Sequence, residues 1–224
     1  MKISSAGCLI LAIAISMSFS LQEKTKVIFF GDSITQAGVK PGGYVLRIAD
    51  LASKENKADQ FEFIGAGIGG NKIYDLFLRL EDDVLSRNPG VVVIYIGVND
   101  VWHKQTSRTG TDADKFERFY AALIGKLKAK NCKVVLCTPA VIGEKKNSGN
   151  ELDTELDKYS EVIRSLAAKH RLPLVDLRKA FVDYNVRSNT QDAESGILTT
   201  DRVHLNDRGN QLVADEMWKV LRSF

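Results

Sequence analysis

The chain has 224 residues, 44% of them hydrophobic and 26% charged, and a net charge of +3 at pH 7. That length suits one α/β domain with a full core, and the composition is that of an ordinary soluble globular protein. So small a charge, with no block of like charges, argues against nucleic acid as a partner; the nearest to a charge run, Glu144-Lys145-Lys146, reads as a solvated loop.

Lys2, the apolar run Cys8 to Ile15, and the small residues Ser16, Ser18 and Ser20 follow the order of a secretory signal. The apolar run is shorter than the roughly 20 residues that a membrane span needs. Residues 1–20 therefore read as a signal peptide and residues 21–224 as one exported domain, secreted or periplasmic, with no stable membrane insertion after processing. An uncleaved anchor, or a lipid on Cys8, is the alternative. Of the remaining cysteines, Cys132 and Cys137 lie about 16 Å apart in extended chain. A disulfide closes only within roughly 7 Å, so both read as small buried apolar residues.

From Lys26 onward, strand-like and helix-like segments alternate. Apolar runs at Val27–Phe30, Phe61–Ile64, Val91–Ile96, Val134–Cys137 and Leu174–Val175 predict strands. Helical periodicity links Ile73, Leu76, Phe77, Leu80 and Val84, then Phe116, Phe119, Leu123 and Leu127. It returns at Leu152, Leu156, Tyr159, Ile163 and Leu166, and again at Leu212, Val213, Met217, Val220 and Leu221. Near-continuous apolar strands between amphipathic helices predict a three-layer α/β/α sandwich with about five parallel strands. In such sheets ligands bind outside the carboxyl ends of the strands. Chemistry should thus come from the segments Gly31–Gly43, Gly65–Asn71, Gly97–Asp112 and Thr138–Asn150, with the polar stretch Ser188–Thr200 near the same rim.

Ser33, in Gly31-Asp32-Ser33 after the first strand, stands where a nucleophile would be useful, although helix capping explains such a turn equally well. Only three histidines are present. His170, beside Arg171 at a helix C-terminus, reads as structural. His103 follows Asn99-Asp100-Val101-Trp102 on what reads as a rim loop. His204 lies three residues after Asp201, a spacing that lets the carboxylate meet Nδ1–H and leaves Nε2 free to take a proton from serine. Asn99 can aim its amide at a carbonyl held by that serine, and the glycines up to Gly70 allow close backbone approach. The backbone N–H groups of Ser33 and Gly70, with the Asn99 amide, would make a three-donor oxyanion hole.

With these residues assembled, the chain resembles the SGNH hydrolase superfamily, the GDSL-type esterases and lipases. Four blocks match in order: Gly31-Asp32-Ser33-Ile34, Gly70 within Gly67-Ile68-Gly69-Gly70-Asn71, Gly97-Val98-Asn99-Asp100, and Asp201-Arg202-Val203-His204. The resemblance spans Val27 to the last helix. It implies a flavodoxin-like sandwich, Ser33 as nucleophile, His204 as general base and then acid, Asp201 as its orienting partner, Gly70 and Asn99 in the oxyanion hole, and no metal or other cofactor. The expected activity is serine esterase chemistry through an acyl-enzyme.

Other readings fit less well. Gly65-x-Gly67-x-x-Gly70 is followed by an acidic strand end about 30 residues on, where a dinucleotide site expects about 20. No His-Glu-x-x-His or Gly-x-Ser-x-Gly occurs, which disfavours a metallohydrolase and an α/β-hydrolase elbow. A catalytically inactive ligand-binding module is the remoter alternative. Short polar rim loops favour small acyl groups on a hydrophilic alcohol, such as O-acetyl groups on carbohydrates. Lysophospholipase, thioesterase and arylesterase activities are the alternatives on the same scaffold. Trp102, His103 and Tyr74 are candidates to contact a sugar face.

Overall fold

Val27-Ile28-Phe29-Phe30 and Val91-Val92-Val93-Ile94 are apolar on both sides of the chain, and all eight residues are fully buried. Strands of that kind are stable only in a sheet covered on both faces. The computed structural model describes residues 23–224; the expected signal peptide at residues 1–20, with Cys8, lies outside the described residues. Five strands form one parallel sheet: β1 (Thr25–Gly31), β2 (Phe61–Gly67), β3 (Val91–Tyr95), β4 (Lys133–Cys137) and β5 (Leu174–Val175). Their order is β2-β1-β3-β4-β5. Helices α1 (Ser33–Gly38) and α2 (Tyr44–Lys54) connect β1 to β2, and α3 (Ile73–Asp83) connects β2 to β3. Next come α4 (Val98–Thr106) and α5 (Ala113–Ala129), then α6 (Asp153–His170), α7 (Leu177–Ser188) and α8 (Asp207–Leu221).

Helices α2 and α8 pack together and α7 joins α8, while α3, α5 and α6 pack in succession. These are the two outer layers of the expected sandwich. The chain runs from β1 outward to β2 and then back past β1 to β3, so the direction of winding reverses between β1 and β3. That gap is a topological switch point, where such sheets form their ligand crevice. Ser33 follows β1 and Asn99 follows β3.

Strands β1, β2 and β4 run longer than their apolar cores, β2 extending beyond Ile64 through Gly67, while β3 stops at Tyr95, one residue short of the expected run. Helices α1, α4 and α7 were not expected from the sequence, whereas the helix-compatible stretch from Tyr44 forms α2. Helix α4 occupies much of the Gly97–Asp112 rim segment, and α7 fills the space between strand β5 and the polar stretch that begins at Ser188. Both lack a clean apolar stripe for a physical reason. Asn99 and Asp100 are buried in α4, and Arg178 and Asn185 are buried in α7, so polar side chains interrupt the buried face. Cys132 and Cys137 are free and buried.

Candidate active site

β1 stops at a turn that only glycine can make. A Cβ on Gly31 would lie 2.3 Å from Thr35 Oγ1 and 2.4 Å from the Tyr95 carbonyl oxygen. Asp32 then caps α1, its carboxylate accepting the Ile34 N–H at 2.9 Å. The capping role thus falls to Asp32, and Ser33 is the first helical residue, with a main-chain N–H that has no intrahelical acceptor. Asp32 is only 2% exposed, and burial pushes its carboxyl up to about 6 against the Ile34 hydrogen bond.

Ser33 and His204, 171 residues apart in sequence, meet with Oγ 3.0 Å from Nε2. On the other side of the ring, Nδ1 lies 2.7 Å from Asp201 Oδ2. A carboxylate only accepts, so Nδ1 carries the proton and Nε2 is left to accept from the serine hydroxyl. Asp201 Oδ1 also accepts the N–H groups of Val203 and His204, at 3.1 and 2.7 Å. Burial acts to raise the Asp201 pKa, but the bonds from the His204 main chain and ring and from Val203 outweigh it and hold the carboxyl below its ordinary value. Between the two residues Arg202 has φ +83°, a strained angle for a side-chain-bearing residue, and its carbonyl accepts the Gly143 N–H at 2.8 Å.

Gly70 has φ +76°, the left-handed region that favours glycine, and its neighbours Gly69 and Asn71 give their N–H groups to Gln36 Oε1 and the Ile68 carbonyl. Asn99 is buried and donates one amide N–H to the Asn71 carbonyl at 3.1 Å, which leaves its second N–H available. Asp100, next in α4, accepts the Ile73 N–H on Oδ1 at 3.1 Å. Its Oδ2 and the Thr111 hydroxyl are both buried without a hydrogen-bond partner. Burial pushes Asp100 up to about 7 against the opposing pull of Thr111 and the Ile73 N–H; Thr111 faces the carboxylate without meeting hydrogen-bond geometry.

The three residues considered for sugar contact fare differently. His103 lies on helix α4 and not on a loop, and its Cε1 is 3.9 Å from where a Cβ of Gly70 would sit. Burial and the nearby Lys72 hold its imidazole below the ordinary value. Trp102 packs beside it, ring centroids 5.8 Å apart, and also touches the core. Tyr74 is tied up in packing: its ring meets Phe119 at 6.5 Å and its hydroxyl donates to the Thr109 carbonyl at 3.2 Å.

Sequence reasoning missed two supporting residues. Arg79, on α3, donates to the carbonyls of Gly31 and Ala66 at 2.8 and 2.9 Å and to Asn71 Oδ1 at 2.7 Å. It thus ties the ends of β1 and β2 to the Gly70–Asn71 turn. Asp83 faces it at 2.7 Å, and the Phe30 ring lies 4.5 Å from the guanidinium carbon. Glu144, expected to be a solvated loop residue, is fully buried. A charged letter in a polar loop gives no signal that backbone donors from a segment 50 residues away surround it.

The Ser33-His204-Asp201 cluster opens to solvent: the side chains of His204 and Asp201 are 39% and 51% exposed. A cavity of about 470 Å³ lies between α6 and α7, and none of Ser33, Gly70, Asn99, Asp201 or His204 lines it. Among the described residues no group of three or more His, Cys, Asp or Glu gathers as a metal site, and no helix is long and apolar enough to cross a membrane.

The model of the GDSL-like lipase/acylhydrolase family matches residues 29–212. The chain belongs to that family. It is a carboxylic ester hydrolase of the SGNH superfamily, with a Ser-His-Asp arrangement that fits the family. Its fold is similar to the crystal structure of an acetyl xylan esterase, AlAXEase, at 60% identity with a TM-score of 0.86, covering 88% of this chain and 99% of the other. An acetylxylan esterase from Geobacillus stearothermophilus is 28% identical over 207 residues, which is 84% of this chain and 90% of the relative. The crystal structure of a catalytic mutant of an acetylxylan esterase from the same organism superposes with a TM-score of 0.77 at 26% identity, covering 87% and 93% of the two chains.

Proposed function

We propose that this esterase removes O-acetyl groups from xylan-type carbohydrate, with Ser33 as nucleophile, His204 as base and acid, and Asp201 as the partner that orients the imidazole. The observation that carries the reading is the continuous line of contacts from Ser33 Oγ to His204 Nε2 at 3.0 Å and from Nδ1 to Asp201 at 2.7 Å. Nε2 takes the hydroxyl proton as Ser33 attacks the ester carbonyl. The oxyanion is received by the main-chain N–H groups of Ser33 and Gly70 and the free N–H of Asn99, a set in which one donor is typically worth about 3 kcal/mol. The imidazolium returns its proton to the sugar oxygen, which leaves an acetyl-enzyme. Water, activated by the same nitrogen, then releases acetate. Asp201 stays ionised throughout, which its lowered pKa favours.

Two things support the substrate class. The related acetylxylan esterases act on that ester by name, and the half-exposed triad at an open rim can admit an acetyl group carried on an extended polymer. Trp102 and His103, beside the Gly70 turn, are the side chains proposed to meet the sugar. The chain is further proposed to be exported through residues 1–20, on the strength of their charged, apolar and small-residue order.

A series of p-nitrophenyl esters from acetate to decanoate, run beside acetylated xylan, tests this reading. Acetate release from xylan and a steep fall in kcat/KM beyond butyrate are expected, with Ser33→Ala and His204→Ala each removing nearly all turnover. A preference for octanoate or longer would overturn the substrate, and an active Ser33→Ala enzyme would overturn the mechanism.

A further inference from the structure

The catalytic aspartate and histidine sit at the tip of a small hairpin. Thr199 and Leu205 pair as an antiparallel bridge, the Thr200 N–H donates to the His204 carbonyl at 2.8 Å, and the Asn206 N–H donates to the Leu198 carbonyl at 3.0 Å. The hairpin belongs to no sheet, so its orientation toward Ser33 has to be fixed by something else. Glu144, in the loop after β4, is 0% exposed, and its carboxylate accepts three consecutive backbone N–H groups of the hairpin stem. Ile197 N–H meets Oε2 at 2.9 Å, while Leu198 and Thr199 N–H meet Oε1 at 2.6 and 3.0 Å.

No lysine or arginine pairs with Glu144 among the described residues. A bare carboxylate is costly to bury unless donors surround it, and here the hairpin backbone supplies them. The neighbouring main chain adds to the grip. Gly143 N–H holds the Arg202 carbonyl at the tip at 2.8 Å, Glu144 N–H holds the Glu194 carbonyl at 3.0 Å, and Asn189 Nδ2 donates to the Glu144 carbonyl at 2.8 Å.

We propose that Glu144 is a positioning residue for the esterase reaction, its buried carboxylate clamping the stem of the Asp201–His204 hairpin and so setting the distance from His204 Nε2 to Ser33 Oγ. The proposal rests on the triad reading given above. Glutamine in this place keeps one carbonyl oxygen for two of the donors and turns an NH₂ group toward the third. The stem must then move by a fraction of an ångström to an ångström. Misplacing a reacting group by about 1 Å can cost on the order of 10²-fold in rate.

The test compares the wild-type chain with Glu144→Gln and with Lys146→Gln, a control in the same loop. Turnover of p-nitrophenyl acetate and the rate at which a neutral aryl phosphonate labels Ser33 are measured at 10 °C, with circular dichroism to establish that each variant is folded. The expected result for Glu144→Gln is a kcat reduced by roughly 30- to 100-fold, KM within about threefold, and labelling slowed in parallel. Weakening of the low-field ¹H NMR resonance of His204 Nδ1–H should accompany the loss. A folded Glu144→Gln enzyme with kcat and labelling within about twofold of wild type overturns the proposal. If that variant does not fold, amide exchange of the wild-type chain decides. Protection of Ile197, Leu198 and Thr199 comparable to β3 supports the clamp, and exchange as fast as in the exposed 147–149 segment overturns it. Ser33→Ala separates the two ideas, because an inactive Ser33→Ala with a fully active Glu144→Gln refutes the clamp and leaves the triad standing.

Discussion

Replacing Asp100 with asparagine would remove a fully buried carboxylate with one oxygen bonded to the Ile73 N–H at 3.1 Å and the other without a partner. Burial raises its pKa from 3.8 to about 7. A carboxyl whose folded-state pKa lies above its unfolded value contributes stability below the unfolded value, and that contribution is lost as pH rises through the folded value. The window is therefore pH 3.8 to about 7, roughly three pH units at about 1.4 kcal/mol each, which puts the penalty at neutral pH on the order of 4 kcal/mol. Asparagine keeps an oxygen for Ile73 and places an NH₂ where the unpartnered oxygen stood, on the side of the unsatisfied Thr111 hydroxyl. Urea unfolding at a series of pH values, compared at equal m-value, reads the difference directly. Near pH 4 the two proteins should unfold at similar urea concentrations. By pH 8 Asp100→Asn should be the more stable by about 2–4 kcal/mol, with the gap opening between those limits. A difference constant within about 0.5 kcal/mol from pH 4 to 8 would refute the assignment of an ionising, desolvated carboxylate here.

Asn99→Ala should lower kcat for p-nitrophenyl acetate by roughly 10²–10³ with a smaller change in KM; an unchanged kcat removes Asn99 from the oxyanion hole. Arg79→Met keeps the apolar stem over Phe30 and leaves the Gly31 and Ala66 carbonyls and Asn71 Oδ1 without their donor. A loss of about 2–3 kcal/mol, or roughly 5–10 °C in Tm, is expected, and a shift under 1 °C by calorimetry would show that the bridge contributes nothing.

The sheet was legible because its signal is local and repeated. Three of the five strands are apolar runs of four or more residues, and the helices at Ile73, Phe116, Leu152 and Leu212 present one apolar stripe each. Helices α4 and α7 were hidden because each buries polar groups. Arg178, for example, is 4% exposed and bonds Asp153 and Asp157 at 2.8 and 2.6 Å. The motif residues at Ser33, Gly70, Asn99, Asp201 and His204 could be named because a strand end or a tight turn dictates each one within a few positions. Tyr74 is harder to place from sequence, because an aromatic residue at the start of a helix looks the same whether it faces a ligand or, as here, packs on Phe119.

Arg79 and Glu144 were missed, and the reason bears on how an open site stays ordered. With His204 and Asp201 substantially exposed, no lid among the described residues packs over these side chains to fix their rotamers. Order must then come from beneath, where the chain ends its strands and exposes main-chain carbonyls and N–H groups that need partners. On the Ser33 side those groups are carbonyls, and a guanidinium with several N–H donors meets them. On the His204 side they are N–H groups, and a carboxylate with several lone pairs meets them. The opposite charges of the two braces follow from which backbone atom each turn leaves unpaired. Neither turn announces that atom in its own sequence, so the braces become visible only when segments 48 and more than 50 residues apart are brought together.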